Sequence, residues 1–298
     1  MSHVCFDAGI GEPERRRSIY AGQLFLLNPG PASTRLIAFA AAMIEEAFAP
    51  HPPQTAHRAL PLEEYVRILA ELKPRFIHHP RCKELLRDLL AEAGCDLERT
   101  YFDVPRLRTA APQHYLTTGI AYAFHAHRDT WYSAPQCQIN WWMPIWRLEP
   151  GNAMAFHPRY WKQPLKNGSR AYNYRRWNAE SRFSAAQQIK SDTRPQPKAE
   201  EPVETEPYVC LLPPPGGLIL FSGAQLHSTI PNTTEVTRFS IDFRTVHIDD
   251  VWQRRGAANI DSSCTGTSLG DFLRGSDFER ISQAAVDLYD TPEVSAGP

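Results

Sequence analysis

From about residue 100 onward the chain becomes a series of short segments rich in aromatic and β-branched residues, and this constrains the fold more than any other feature. The segments span 113–123, 138–146, 153–157, 208–212, 217–221 and 237–246. Their composition is that of strands, and 26 prolines favour frequent turns over a helical bundle. The first third reads differently. Leu36, Ile37, Phe39, Met43, Ile44 and Phe48 recur at helical spacing after Ser33 or Thr34, either of which can cap a helix that Pro50 would stop. A second helix is expected over 62–72, halted before Pro74, and a third over 81–93, with Leu85, Leu86, Leu89 and Leu90 on one stripe and Gly94 at its end. The tail carries one more expected helix, 278–288, with a frayed end after Thr291. Helices followed by many short strands fit an α+β, mainly β, domain with a closed or sandwich-like β core.

At 298 residues the chain can bury one large core, and it reads as a single domain, 1–298. Its parts are a helical region of about 19–95, a β core of about 100–246 interrupted by an insertion at 159–207, and a tail over 247–298. The insertion is rich in Arg and Tyr at first (Arg170, Tyr172, Tyr174, Arg175, Arg176), then charged and Pro-rich over 191–207, as in an exposed loop. Its position suggests a mobile lid that orders over a bound substrate. A net charge of −1 argues against nucleic acid as a partner. No apolar run approaches the roughly 20 residues of a membrane span, and the polar N-terminus lacks the apolar stretch of a signal peptide. Six scattered cysteines with no CxxC pair read as reduced thiols of a cytoplasmic protein. The oligomeric state leaves no signature in the sequence.

The chemistry is concentrated in three places. In His127-Arg128-Asp129 the first and third side chains of an extended segment point the same way, so imidazole and carboxylate can share one metal. His227 can supply a third ligand. Two histidines and one carboxylate form the facial set that leaves open positions on Fe(II), where 2-oxoglutarate and O2 can bind. Arg238, eleven residues after His227, and Ser240 offer a fork and a hydroxyl for the far carboxylate of 2-oxoglutarate. Arg238, Ser240, Asp242 and Arg244 alternate with Phe239, Ile241 and Phe243, giving that strand one polar and one apolar face. In isolation, an HxD in a chain with 11 histidines can be a surface turn, His227 a strand-end residue, and Arg238 and Ser240 a solvent face. The ordered set is much harder to obtain by accident.

Three blocks carry a family resemblance. His127-Arg128-Asp129-Thr130-Trp131-Tyr132, Asn140-Trp141-Trp142-Met143-Pro144-Ile145 and the 151–158 stretch Gly-Asn-Ala-Met-Ala-Phe-His-Pro resemble the phytanoyl-CoA dioxygenase-like proteins. His227-Ser228-Thr229-Ile230-Pro231-Asn232, with Arg238 beyond it, is similar to that family's distal histidine, Pro-Asn turn and 2-oxoglutarate-binding arginine. The resemblance covers roughly 113–246. It departs at Phe156-His157-Pro158-Arg159, where the family has a Pro-Gly-Ser-His-like sequence, and at the insertion.

The resemblance implies a double-stranded β-helix (jelly-roll, cupin-like) flanked by the N-terminal helices. Phe239, Ile241 and Phe243 would pack beneath those helices. His127, Asp129 and His227 would hold Fe(II), with 2-oxoglutarate and O2 as co-substrates, and Arg238, Ser240, Asn140 and Trp142 would bind 2-oxoglutarate. Trp131, Tyr132, Gln138 and His157 are candidates for substrate contact. The expected reaction is hydroxylation or another oxidation of a small polar molecule, such as a natural-product or amino-acid-derived intermediate, with release of succinate and CO2. Asp129 argues against halogenation, which needs a small residue there. Two other readings stay open: an inactive jelly-roll binding protein, and a zinc hydrolase using His125, His127 and His227.

Overall fold

The structure, a computed structural model, describes residues 3–290 other than 114, 123, 124 and 190. Its strands in chain order are β1 (Val4–Phe6), β2 (Leu24–Leu27), β3 (Thr100–Phe102), β4 (Arg106–Ala110), β5 (Ile139–Pro144) and β6 (Met154–Phe156). They continue with β7 (Val209–Cys210), β8 (Leu218–Ser222), β9 (His227–Thr229), β10 (Arg238–His247) and β11 (Leu273–Arg274). The helices are α1 (Glu12–Tyr20), α2 (Pro31–Phe48), α3 (Leu62–Ile77), α4 (Pro80–Glu92), α5 (Tyr174–Glu180), α6 (Ile248–Trp252) and α7 (Gln283–Asp287).

One large sheet runs in the order β1-β2-β8-β5-β10-β3-β11, with β4 also paired to β10, and every pairing except the parallel β1–β2 is antiparallel. A small sheet has the order β7-β6-β9. An isolated antiparallel bridge between His127 and His227 adds the HxD segment to it. The sheets face one another across Trp142, Ile219 and Phe221 of the large sheet and Met154 and Phe156 of the small one, with Leu211 just beyond β7.

Period-two alternation in β10 sets the other side of the large sheet. Phe239, Ile241 and Phe243 lie with Trp141 and Met143 against Leu36, Ile44 and Phe48 of α2 and Tyr65 and Leu69 of α3. Phe48 meets Phe239 edge-on at 5.9 Å, and Trp141 stacks on Phe243 at 5.5 Å. Burying each such side chain contributes roughly 1.5–3 kcal/mol. This fixes the register of β10 and turns its polar residues toward the small sheet.

Several expected elements move. α2 starts at Pro31 after Gly30, and Ser33 is its third residue, its hydroxyl accepting the Gly30 N–H at 3.0 Å. Proline suits a first helical turn because the N–H it lacks would be unpaired there. α3 runs through Pro74 to Ile77: burial of Leu72 and Phe76 outweighs the one hydrogen bond Pro74 cannot donate. Residues 113–123 form no strand among those described; positive φ angles at Gln113 (51°) and Gly119 (56°) break the extended path, and the pairing edge is β4. His114 and Ala123 of that stretch, and the tail after Thr291, lie outside the described residues. The C-terminal helix shrinks to α7, since Phe278 adopts φ 66°. Neither β1 nor α1 was expected, because α1 buries only Arg15 and Ile19 and has no apolar stripe to read.

The insertion is folded. Asn167 bridges Ala199, and the Gly168 N–H donates to the Lys198 carbonyl at 2.9 Å. Residues 191–207 form no helix or strand and are mostly exposed, as their composition suggested, yet they are anchored near their start. The Asp192–Arg194 pair closes at 2.6 Å with side chains 4% and 9% exposed, Asp192 accepts the Gly119 N–H at 3.2 Å, and Pro197 is buried. No helix among the described residues is long and apolar enough to cross a membrane.

Candidate metal centre

His127, Asp129 and His227 offer ligand atoms that all lie within 4.8 Å of one another. Arg128 is extended (φ −112°, ψ 141°), so its neighbours His127 and Asp129 project to one side and Arg128 to the other. His227 opens β9, opposite Phe156 on one edge and His127 on the other.

Each imidazole is fixed the same way. His127 Nδ1 lies 2.8 Å from the His125 carbonyl, and His227 Nδ1 lies 2.9 Å from the Gln225 carbonyl. A carbonyl can only accept, so Nδ1 carries the proton and Nε2 is the nitrogen able to ligate a metal. Both Nε2 atoms face Asp129 Oδ1, at 3.5 Å and 3.9 Å. The other oxygen, Oδ2, accepts the side-chain amides of Gln138 (3.0 Å) and Asn140 (2.8 Å) and has Arg244 Nε 3.9 Å away. The carboxylate is thus oriented by one oxygen and presents the other.

Burial raises the Asp129 pKa, but the neighbouring His127 and the charge of Arg244 outweigh it, holding the group well below the usual carboxylate range. Burial, then the neighbouring His127, pushes His227 down to about 4. At neutral pH the pair is therefore a carboxylate beside a neutral imidazole, the forms that bind a cation.

Arg128, 1% exposed, holds the back of the centre. It pairs with Asp261 at 3.0 Å and donates to the carbonyls of Ala224 and Tyr160, each at 2.6 Å. Asp261 also accepts the Trp131 indole N–H at 2.8 Å and the Leu165 N–H at 3.1 Å. The tail thereby ties the HxD segment to the insertion.

The remaining expected residues separate into groups. Arg238, Ser240, Asp242 and Arg244 share the inner face of β10, and Trp142 and Asn140 stand opposite Asp242 and Arg244 on β5. The Arg238 guanidinium lies 5.5 Å over the Trp142 ring and donates to the carbonyls of Asn152 and Ala153 at 3.2 and 3.3 Å. Arg238 Nε and Ser240 Oγ are buried without partners among the described residues. Burial pushes the Arg238 pKa down to about 10, opposed by Asp242.

Gln138 and Asn140 were expected on ligands but serve Asp129, and Gln138 also donates to Asn140 at 2.8 Å. Trp131 has no surface to offer a substrate: it is fully buried with Ala126, Tyr160, Leu165 and Leu226. His157 points away from the metal centre, because its neighbour Phe156 takes the inner face beside Phe221; its Nε2 bonds Ser228 at 3.0 Å. Tyr132 is edge-on to His127 at 5.5 Å, and its hydroxyl donates to the Pro197 carbonyl at 3.1 Å. His125 does not join the set, since its ring nitrogens meet Tyr122 and Pro197, each at 3.1 Å. Arg244 was read only as part of the polar face of β10, and nothing in the sequence marked Asp261 as a neighbour of the centre.

No family model matches the chain, and no curated protein sequence matches it. Among solved structures it is similar to EvdO2 from Micromonospora carbonacea var. aurantiaca at 14% identity and TM-score 0.46, over 80% of this chain and 92% of that one. The same protein complexed with 2-oxoglutarate gives 15% identity and TM-score 0.45, over 80% and 92%. The non-heme alpha ketoglutarate dependent epimerase SnoN from nogalamycin biosynthesis gives 12% and 0.41, over 79% and 84%. Likenesses at this level do not assign the chain to a family.

Proposed function

We propose that the chain is a non-haem iron(II) oxygenase that uses 2-oxoglutarate and O2 to oxidise a small polar molecule. The carrying observation is the convergence of two Nε2 lone pairs, each set by a carbonyl on Nδ1, on one oxygen of a carboxylate whose other oxygen is already hydrogen-bonded. Two neutral imidazoles and one carboxylate suit Fe(II) and leave room for further ligands. The pairing β4-β10-β5-β8 opposite the His127 segment, β9, β6 and β7 supports a jelly-roll core, with the centre between its sheets. Kinship with the phytanoyl-CoA dioxygenase-like proteins rests on the sequence blocks alone.

The residues also fit 2-oxoglutarate. Among the described residues Arg238 Nε and Ser240 Oγ have no partner, and both are buried on one face of one strand, as a bound carboxylate requires. Arg238, steadied on Trp142, would take the distal carboxylate, and the opposite end of the molecule would reach the metal. Iron with these co-substrates supplies the oxidising power to remove a hydrogen from an unactivated carbon, with release of succinate and CO2. The protein's part is to hold Asp129 ionised, keep both imidazoles in one tautomer and cover the centre with Tyr132 and the Pro197 segment.

Succinate formation from 2-oxoglutarate tests the proposal, measured with Fe2+ or Zn2+, with and without O2. The expected result is succinate only with Fe2+ and O2, lost in His127→Ala, Asp129→Ala and His227→Ala variants that keep their circular dichroism. Activity with Zn2+ and no O2 would indicate a hydrolase, and no turnover under any condition a binding protein.

A further inference from the structure

Arg244 stands six residues beyond Arg238 on the same face of β10, roughly 20 Å along a strand at about 3.3 Å per residue. Two cationic places therefore share that face, and 2-oxoglutarate needs only one. Around the second, the guanidinium groups of Arg106, Arg108 and Arg244 meet the carboxylates of Asp103 and Asp242. Arg106 and Arg244 reach Asp103 at 2.5 and 3.0 Å, and Arg108 reaches Asp242 at 2.5 Å. Asp129 is also near Arg244, but a metal would claim its charge. Three guanidinium groups then face two carboxylates, with the Lys73 ammonium beside them. Lys73 responds to the same cluster: burial, then the charge of Arg108, pushes its ammonium down to about 7.

Arg244 adjoins the metal centre through Asp129, 3.9 Å from its Nε, and a series of aromatic rings also starts at that centre. Tyr132 lies 5.5 Å from His127, Tyr172 lies 5.4 Å from Tyr132, and Trp177 lies 6.4 Å from Tyr172. Tyr172 is within range of the Arg244 charge, and its hydroxyl makes no hydrogen bond among the described residues. The Trp177 indole N–H is buried without an acceptor among the described residues. A buried donor with no partner is costly, and a bound acceptor would relieve it.

We propose that these groups form the substrate subsite and that its ligand is a planar anion with one carboxylate at this end. Its ring lies against Tyr132 and Tyr172, and its carboxylate is held by Arg106 and Arg244. This rests on the oxygenase reading for the metal but adds the charge and shape of the substrate. Aromatic faces favour a flat partner, and an excess of cations over carboxylates favours a negatively charged one over a neutral one.

The test is calorimetric titration of the Fe2+- and 2-oxoglutarate-loaded protein without O2, using 2-naphthoate and the neutral, equally flat 2-naphthamide. The carboxylate is expected to bind about tenfold tighter or more. Arg106→Gln should abolish that preference and Arg106→Lys restore part of it, while Tyr172→Ala weakens both probes alike. Equal binding of the two probes to the wild-type protein overturns the proposal, as does a preference that survives Arg106→Gln. Succinate formation without substrate, run in parallel, reads the oxygenase assignment separately. Succinate with equal probe binding rejects the subsite alone; no succinate with a preference for naphthoate rejects the oxygenase reading and keeps an anion site.

Discussion

His127 and His227 hold each other by the backbone: the N–H of each donates to the carbonyl of the other at 3.0 Å. The two imidazoles, 4.3 Å apart between ring centroids, are thus registered by one antiparallel bridge between segments a hundred residues apart in sequence. A third residue, Asp129, is steered separately, and the stability of the trio can be probed one support at a time.

Asn140→Leu removes the 2.8 Å amide donor from Asp129 Oδ2 while keeping similar volume. Loss of such an outer support typically weakens metal binding about 10- to 100-fold. Competition with a chromogenic chelator should show that loss for Fe2+ or Co2+. In the wild-type protein, metal at about 100 times its Kd should add about 2.7 kcal/mol to the unfolding free energy. An unchanged metal Kd in Asn140→Leu would mean that Gln138 and Arg244 suffice to hold the carboxylate.

Arg238→Ala should mainly raise the KM for 2-oxoglutarate. A charge-assisted pair to a carboxylate contributes roughly 1.5–3 kcal/mol, so a rise of about 10- to 150-fold is expected. Steady-state succinate kinetics at saturating Fe2+ would show it. A normal KM in Arg238→Ala, with a raised one in Arg244→Ala, would exchange the roles of the two cationic places on β10.

These supports mark where the sequence was readable and where it was not. Period two placed His127 and Asp129 on one side and Phe239, Ile241 and Phe243 on the other, because an extended backbone leaves side chains no other choice. The same rule put Gln138 and Asn140 on an inner face, yet their partner was hidden. Asp129 reaches them only because the chain reverses through Ser133, in the left-handed conformation at φ 62°. The sequence reading gave His157 a share in the pocket, but one step of parity from Phe156 carries it to the outside of the small sheet. Arg128 and Asp261 are 133 residues apart, and only tertiary packing tells such a pair from two surface charges.

That pair carries a stability prediction. Arg128 and Asp261 side chains are 1% and 4% exposed, and burial lowers the Arg128 pKa against the opposing pull of Asp261. Asp261→Ala leaves a buried guanidinium without its counter-charge and frees the Trp131 and Leu165 N–H groups. The expected loss is about 3–5 kcal/mol. Urea unfolding should report it as a lower midpoint with little change in slope. A loss under about 1 kcal/mol would show that water reaches Arg128 and replaces the carboxylate.

The insertion was expected to act as a lid, and the structure identifies where it is fastened. The Pro197 carbonyl accepts from the Tyr132 hydroxyl and is approached by His125 Nε2, both at 3.1 Å, so two residues flanking the HxD segment pin one point of the covering chain. Tyr132→Phe removes one fastening and keeps the ring against His127. A single hydrogen bond of about 0.5–1.5 kcal/mol changes local opening by about 2- to 12-fold. Trypsin should therefore cut after the exposed Lys198 faster in Tyr132→Phe than in the wild-type protein by that factor, with fragments identified by mass spectrometry. Loading with Fe2+, 2-oxoglutarate and 2-naphthoate without O2 should slow cleavage in both proteins if the segment closes over a ligand. Identical cleavage rates in the two proteins, unaffected by ligands, would reduce the segment to a static cover with no part in access to the metal.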